Sequence, residues 1–194
     1  MEIAIFLAII ASLFVSKKGI TSDIQATQSG IVTNNKWNLP DIDSSIQRGV
    51  YLRDFDESFE KASHATGVPF ALIKAHALRE SSLAPGAYHY DNARSGASYG
   101  LMQVEWNFNN RFAKYGFDDA VLGRDGSGLY DPDTSAMIGA CVIRDNLNWL
   151  SGNLRDSINA YNTGGPESKR LAPGNYVDDV INYYQTLIGG SVNA

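Results

Sequence analysis

The 194-residue chain has a single cysteine, Cys141, and only three histidines. One cysteine excludes an intramolecular disulfide and a cysteine metal cluster, and the histidines lack the spacing of metal ligands. We therefore predict no metal, and no motif indicates another cofactor. Basic residues are few as well: 16 Lys and Arg against 21 Asp and Glu give a net charge of −5. Because contacts to phosphate backbones depend on Lys and Arg, the chain is a poor candidate for a nucleic-acid partner.

Apolar residues are plentiful, at 44% of the chain, while charged residues make up 19%. This is the composition of a globular protein with a sizeable core, and the length corresponds to one domain with a short appendage. We assign residues 51–194 to the domain. Residues 19–50 are predicted to form a polar tether, because they are rich in Ser, Thr, Asn, Gln and Asp and show little periodicity.

The N-terminal segment over residues 1–18 is predicted to be an apolar helix. Its apolar part, residues 3–15, would be about 20 Å long at 1.5 Å per residue, whereas a full membrane span needs about 20 residues. Lys17 and Lys18 follow this part, an order that does not favour simple export. The segment is therefore interpreted as a signal peptide, an uncleaved short anchor or a membrane-active tip.

The domain itself is predicted to be mainly α, because apolar residues recur at spacings of three and four along most of it. Gly67 ends the first helix, and Pro69 and the pair Asp131–Pro132 begin later ones. The helical pattern begins at about residue 44, and the first predicted helix, with Phe55, Phe59 and Ala62 on one face, runs up to residue 66. The other predicted helices cover residues 69–82, 132–150, 154–161 and 176–187. The Gly- and Ser-rich stretch 87–103 differs from them and is predicted to hold a small β-ribbon or an irregular segment.

Glu80 is the strongest candidate for chemistry. It continues the apolar stripe of Ile73 and Ala77 near the C-terminal end of its helix. Poor solvation and the negative end of the helix dipole would both raise the pKa of its carboxyl, and a carboxylic acid that stays protonated near neutral pH can act as a general acid. The alternative is a solvated glutamate paired with Arg79 or His76.

Aromatic and amide side chains cluster around the polar segments, a combination that suits a glycan groove because sugars have apolar faces and hydroxyl rims. The alternative is that most of these aromatic residues belong to the core. The aromatic residues are Tyr88, Tyr90, Tyr99, Trp106, Phe108, Tyr161 and Tyr176, and the amides are Gln103, Asn107, Asn159 and Asn162.

Four motifs occur in a fixed order along the chain: Arg-Glu-Ser-Ser-Leu at 79–83, Gly-Leu-Met-Gln-Val at 100–104, Ala-Tyr-Asn-Thr-Gly at 160–164 and Tyr-Val-x-x-Val at 176–180. With Leu-Tyr-Asp-Pro at 129–132 between the second and third motifs, the chain resembles the catalytic domain of soluble-type lytic transglycosylases, which are related to goose-type lysozymes. The resemblance covers roughly residues 55–187.

This resemblance implies a two-lobed, mostly helical lysozyme-like domain with a glycan cleft between the lobes. The implied substrate is the peptidoglycan strand, cut at the MurNAc–GlcNAc β-1,4 bond with formation of 1,6-anhydro-MurNAc. Glu80 matches the single catalytic acid of the family. The predicted substrate-binding residues are Ser81, Ser95, Tyr99, Met102, Gln103, Tyr161, Asn162 and Tyr176.

Two features depart from the family pattern. Residues 171–175 contain no acid where the family often has a Glu-Thr pair, and Glu105 stands where the family usually has an uncharged residue. Glu105 is interpreted either as a second acid in the cleft or, preferably, as a solvated turn residue. Two functions therefore remain beside lytic transglycosylase: a hydrolytic lysozyme, and an inactive glycan-binding module.

The substrate implies a location in the cell envelope. The apolar segment over residues 3–15 predicts contact with a membrane on the periplasmic side. Its short length and charge order also suggest delivery from outside, as a component of a phage particle or of secretion machinery that opens the wall locally.

Overall fold

The structure is a computed structural model that describes residues 31–32, 35–42, 55–92, 96–106 and 111–189. The predicted apolar helix over residues 1–18 lies outside the described residues. Within the described residues there are six α-helices: α1 Asp56–Thr66, α2 Phe70–Ser81, α3 Asp119–Leu122, α4 Pro132–Trp149, α5 Leu154–Thr163 and α6 Tyr176–Ile188. Single 3₁₀ turns cover Ala113–Tyr115 and Ser127–Tyr130.

The helix boundaries follow local chemistry. Gly67 ends α1 in the left-handed conformation, with φ of 74°, which a residue without a Cβ adopts at little cost. The Asp131 side chain accepts a hydrogen bond from the Thr134 amide at 2.8 Å, and Pro132 occupies the first turn of α4. The five helices predicted from periodicity are confirmed, and the ends that the prediction fixed shift by at most about two residues. Residues 44–54, where the helical pattern was expected to begin, lie outside the described residues.

Helix pairs build the core. Helix α1 packs on α4, and α2 packs on α6. The largest fully buried side chains come from these helices and from the segments that join them, among them Phe59, Leu72, Ile138, Leu147, Ile158 and Tyr184. A buried ion pair between Lys74 and Asp56 links α2 to the start of α1.

A three-stranded antiparallel sheet forms the β-ribbon, in the order β3–β4–β5. Its strands are β3 Tyr88–Asn92, β4 Gly96–Tyr99 and β5 Val104–Trp106. His89 pairs with Ser98, and Ser98 pairs with Glu105. Because successive residues of a strand point to opposite faces, these three side chains form one row and Tyr99 belongs to the other face.

The described part of the predicted tether packs against the domain. It carries a two-residue strand pair, β1 Ile31–Val32 with β2 Asp41–Ile42, and buries Leu39 in the core. The Asp41 carboxylate accepts hydrogen bonds from the amides of Phe70 and Ala71 at 2.8 and 3.0 Å. It thereby satisfies free amides at the start of α2, where Pro69 provides no side-chain cap.

The prediction of a mainly α domain with a small β-ribbon is confirmed. In the described part of the chain, no helix combines the length and the apolar character that crossing a membrane requires.

Candidate functional site

A groove of about 1190 Å³ runs across the domain between helical and ribbon segments. We call its two sides the helical wall and the ribbon wall. The helical wall comprises the C-terminal end of α2, the C-terminal half of α5 and the segment around Arg170 and Pro173. The ribbon wall comprises the row His89, Ser98 and Glu105. This volume exceeds the range of about 300 to 1,000 Å³ that is typical of pockets for single small molecules.

Glu80 lies in the helical wall, in the last turn of α2. Burial of its carboxyl raises the pKa to about 7, against the opposing effects of a hydrogen bond from Tyr176 and of the positive charge of Arg79. The residue as a whole keeps partial contact with the groove, whereas its carboxyl group is surrounded by protein atoms. At neutral pH a substantial fraction of Glu80 therefore carries a proton that it can give to a bound ligand.

Tyr176, the first residue of α6, contacts the Glu80 carboxyl and does not itself line the groove. Its hydroxyl donates a hydrogen bond to Glu80 Oε1, and its ring is buried. Arg79 stacks on this ring, with 5.2 Å from the guanidinium carbon to the ring centroid, and lies 3.0 Å from Asp179 Oδ2. Thus Arg79 pairs with Asp179, and the alternative of a solvated Glu80 paired with Arg79 is not observed.

Ser81 and Tyr161 connect their own motifs, at 79–83 and 160–164, to the motif at 100–104. The Tyr161 hydroxyl donates to the Met102 carbonyl at 2.8 Å, and the Ser81 hydroxyl donates to the Leu101 carbonyl at 2.8 Å. Both side chains face the groove. Their hydrogen bonds fix the turn between β4 and β5 relative to Glu80.

Glycine is required in that turn. Gly100 has φ of 72°, and a Cβ there would lie 2.0 Å from the Leu129 carbonyl oxygen. A Cβ at Gly139 of α4 would lie 2.6 to 2.8 Å from three side-chain atoms of Met102. The Met102 side chain occupies the space beside Gly139, so the Gly-Leu-Met-Gln motif packs directly on α4. The next residue, Gln103, lines the groove.

The ribbon wall and the turn before β5 are polar and partly exposed. Gln103, in the turn before β5, donates through Nε2 to the carbonyls of Ala87 and Gly100 at 3.2 and 3.0 Å. Glu105 faces the groove from β5 with a side chain that is 35% exposed, and one oxygen lies 3.6 Å from the Arg111 guanidinium. It is therefore a strand residue of the groove wall and not the solvated turn residue that the sequence favoured.

The structure brings together five of the predicted site residues along the groove: Glu80, Ser81, Gln103, Tyr161 and Asn162. Tyr176 lies behind Glu80 and does not line the groove. Met102 is fully buried against α4, and Tyr99 packs between Tyr88 and Tyr130, with ring centroids 5.2 and 5.4 Å apart. Ser95, Asn107 and Phe108 lie outside the described residues.

The interpretation of Asn159 as a glycan-binding amide was wrong. Asn159 is fully buried, and its Nδ2 lies within 2.8 Å of the carbonyls of Gly165 and Arg170 while its Oδ1 accepts from the Ala172 amide at 2.8 Å. It holds the loop that follows α5. Spacing alone did not reveal this, because Asn159 and Asn162 differ only in the face of α5 on which they lie.

Sequence reasoning missed several groove residues: His89, Ser98, Arg111, Lys114, Tyr115 and Asp145. The first two follow from strand alternation once the ribbon register is known. The others come from α4 and from the segment after the ribbon, which no motif marked. In the described residues, no group of three or more His, Cys, Asp or Glu side chains has the geometry of a metal site.

Two curated relatives, protein IpgF of Shigella flexneri and protein IpgF of Shigella sonnei, are each 24% identical over 135 residues, covering 70% of this chain and 84% of theirs. The X-ray structure of an inactive glutamate-to-glutamine mutant of the lytic transglycosylase Slt from Pseudomonas aeruginosa matches with a TM-score of 0.54 and 20% identity.

That match covers 76% of this chain but only 28% of the Slt chain, so the protein corresponds to about a quarter of its structural neighbour. The likeness shows the lysozyme-like fold expected from the resemblance. The sequence model of the transglycosylase SLT domain matches residues 57–177, which is more than half of the chain and contains Glu80 and most of both groove walls. The chain therefore belongs to the transglycosylase SLT domain family.

Proposed function

We propose that the protein is a peptidoglycan lytic transglycosylase that cleaves the MurNAc–GlcNAc β-1,4 bond and uses Glu80 as its only catalytic acid. The observation that carries this proposal is the buried Glu80 carboxyl, with a pKa near 7, in the wall of a groove of about 1190 Å³. Family membership supports the reaction class, and the inactive Slt mutant supports a glutamate in this role.

In the first step Glu80 gives its proton to the glycosidic oxygen. The bond between that oxygen and the anomeric carbon of MurNAc breaks, and the GlcNAc side leaves as an alcohol. The positive charge that develops at the anomeric carbon is taken up by the carbonyl oxygen of the 2-acetamido group of the same sugar. Glu80 is now ionised, and the hydrogen bond from Tyr176 stabilises this charge.

In the second step the Glu80 carboxylate removes the proton from the 6-hydroxyl of the same MurNAc. The 6-oxygen attacks the anomeric carbon, the acetamido oxygen leaves it, and the product is the 1,6-anhydro sugar. An internal nucleophile gains from proximity, and the protonated acid is restored for the next turnover.

Substrate contacts are assigned to the polar and aromatic groups that line the groove. Ser81, Gln103, Tyr161 and Asn162 line the groove together with Glu80 and provide hydroxyl and amide groups for sugar hydroxyls and N-acetyl groups. Tyr176 is assigned to Glu80 and not to the sugar.

A hydrolytic lysozyme is the second candidate, and the groove position of Glu105 favours it. Glycosidases that use two carboxylates place the second one across the cleft from the acid. Glu105 lines the same groove as Glu80 but comes from the ribbon wall, although Arg111 lies close to it. With Glu105 as a base, water would attack the anomeric carbon and leave a reducing MurNAc.

For the cellular context, a peptidoglycan substrate assigns the protein to the cell envelope. Membrane contact through residues 3–15, and delivery by a phage particle or by secretion machinery, remain predictions from the sequence. Recovery of the full-length protein only from the inner-membrane fraction of uninfected cells would contradict delivery from outside.

The test is product analysis. Purified sacculi are digested with the full-length protein and with the variant Glu80→Gln, and the released fragments are separated and weighed by mass spectrometry. Fragments with anhydro ends, lighter by one water than reducing ends, are expected from the wild-type protein alone. Reducing ends would establish the lysozyme, and no release beyond that of the variant would indicate a binding module.

A further inference from the structure

His76 is a buried titratable residue that takes no part in the two proposed steps. It lies one helical turn before Glu80 on α2 and is fully buried. Its Nδ1 lies 3.4 Å from the Tyr176 hydroxyl oxygen, and its ring lies against Tyr161 with centroids 4.7 Å apart. His76 therefore contacts both tyrosines that organise the helical wall.

The surroundings of His76 favour one tautomer. Nε2 is buried and has no hydrogen-bonding partner among the described residues. A buried N–H without a partner costs more than a buried acceptor lone pair without one, so the ring proton belongs on Nδ1. Burial also lowers the pKa of His76 to about 3, so the ring is neutral at neutral pH.

With its proton on Nδ1, His76 donates to the Tyr176 oxygen. The single hydroxyl proton of Tyr176 then points to Glu80 Oε1, because the oxygen is already accepting from the other side. In the opposite arrangement Tyr176 would donate to His76, and a buried Nε2–H would be left without a partner.

We propose that His76 is a positioning residue that fixes the direction of the hydrogen-bond chain from His76 through Tyr176 to Glu80. The chain reserves Oε1 as an acceptor and leaves Oε2 as the oxygen that carries the transferable proton. The same arrangement serves Glu80 before and after proton transfer, so the dipoles that stabilise the carboxylate need not reorient during the reaction. This inference rests on the proposed function of Glu80.

The other polar groups around this chain do not replace His76. Arg79 of α2 stacks on the Tyr176 ring and pairs with Asp179 of α6. Tyr161 of α5 directs its hydroxyl to the Met102 carbonyl, and Arg111, which also lines the groove, acts electrostatically on Tyr161. In the described part of the chain, the hydrogen bonds of the Tyr176 hydroxyl are to His76 and Glu80.

The experiment uses NMR on the full chain and needs no enzymatic turnover. The tautomer of His76 is read from its ring ¹⁵N resonances, and the Glu80 carboxyl is titrated by its ¹³C resonance, which is identified by its absence in Glu80→Gln. Two variants are compared: His76→Leu removes the donor, and His76→Asn keeps an N–H near the position of Nδ1.

We expect a neutral ring with the proton on Nδ1. His76→Leu should raise the titration midpoint of Glu80 by about 0.5 to 1 pH unit, because Tyr176 becomes a weaker donor to the carboxylate. His76→Asn should return the midpoint to within about 0.3 units of the wild type. The alkaline limb of the pH profile of kcat should move by the same amounts.

A proton on Nε2 in the wild type would overturn the inference, and this measurement stands even if a variant fails to fold. An unchanged midpoint in His76→Leu, or equal midpoints in the Leu and Asn variants, would overturn it as well, because a purely structural role predicts no difference. If the midpoints move as expected but sacculi release no fragments, the proposed function fails while the hydrogen-bond chain stands.

Discussion

The two walls of the groove each carry a glutamate, and their surroundings differ in every respect. Glu80 in the helical wall has a buried carboxyl, a tyrosine donor and a pKa near 7. Glu105 in the ribbon wall has a side chain that is 35% exposed and lies beside Arg111. The same residue type is therefore buried with a raised pKa in one wall and partly exposed beside an arginine in the other, which is why the proposed mechanism gives the role of acid to Glu80.

The largest effect that separates the walls is expected for the matched pair Glu80→Gln and Glu105→Gln. Losing the acid should lower the rate of fragment release by a factor on the order of 10³, whereas losing an exposed ion pair should change it by less than about fivefold. Rates are measured on purified sacculi, with thermal unfolding as a check of folding. Comparable losses of rate in both variants would instead indicate a mechanism that uses both carboxylates.

Asn159→Ala tests whether the helical wall depends on a buried amide. Its hydrogen bonds to Gly165, Arg170 and Ala172 would be lost in the interior, so the free energy of unfolding should fall by about 2 to 3 kcal/mol. Asn162→Ala, one turn away on the groove side, should change it by less than about 0.5 kcal/mol. Urea unfolding measures both, and equal losses would refute the assignment of Asn159 to the loop.

The burial of Glu80 predicts a dependence of stability on pH. Its pKa is about 7 in the folded state against 4.5 without the protein environment, so the folded state binds more protons between these values. The wild type should therefore lose stability relative to Glu80→Gln as the pH rises from about 4.5 to about 7, by on the order of 2 kcal/mol.

Urea unfolding of both proteins across this range gives the difference. His76 opposes the trend in the wild type, because its lowered pKa makes stability fall as the pH drops from about 6.5 towards 3. Since both proteins retain His76, its contribution cancels. A difference that does not change with pH would contradict the burial of the Glu80 carboxyl.

The smallest effect is expected for Tyr176→Phe, which removes the hydrogen bond that stabilises ionised Glu80. The pKa of Glu80 should rise further, so the alkaline limb of the rate profile should move to higher pH and the maximal rate should fall about tenfold. Tyr184→Phe is the control in the same helix, because the Tyr184 hydroxyl donates to the Pro40 carbonyl, away from the groove. That variant should lower the unfolding temperature and leave the pH profile of the rate in place. If the pH profiles of both variants shift, the assignment of Tyr176 as the specific partner of Glu80 is wrong.

The helices were predictable because their signals are local. Apolar spacing, the Asp131–Pro132 start and the ends at Gly67 and Gly164 need no distant partner. The position of Glu80 on an apolar stripe predicted burial for the same reason. Residues 35–42 were harder to assign, because a polar segment with little periodicity gives no sign that Asp41 would satisfy the amides at the start of α2.

The side chains of the site were only partly predictable. Motif positions identified Tyr161, Gln103 and Met102 together, but packing on Gly139 buries Met102 while Gln103 faces the groove. Glu105 looked like a turn residue because the register of the ribbon is set by pairing between strands and not by its own neighbours in sequence.

The amino-acid sequence by itself determined the mainly helical domain, the candidate acid and the family, since periodicity, caps and ordered motifs are properties of neighbouring residues. Only the tertiary structure decided which glutamate is buried, which amide holds a loop and which tyrosine supports the acid. Those outcomes depend on residues about 100 positions apart, such as His76, Glu80 and Tyr176, whose contacts arise when α2 packs on α6.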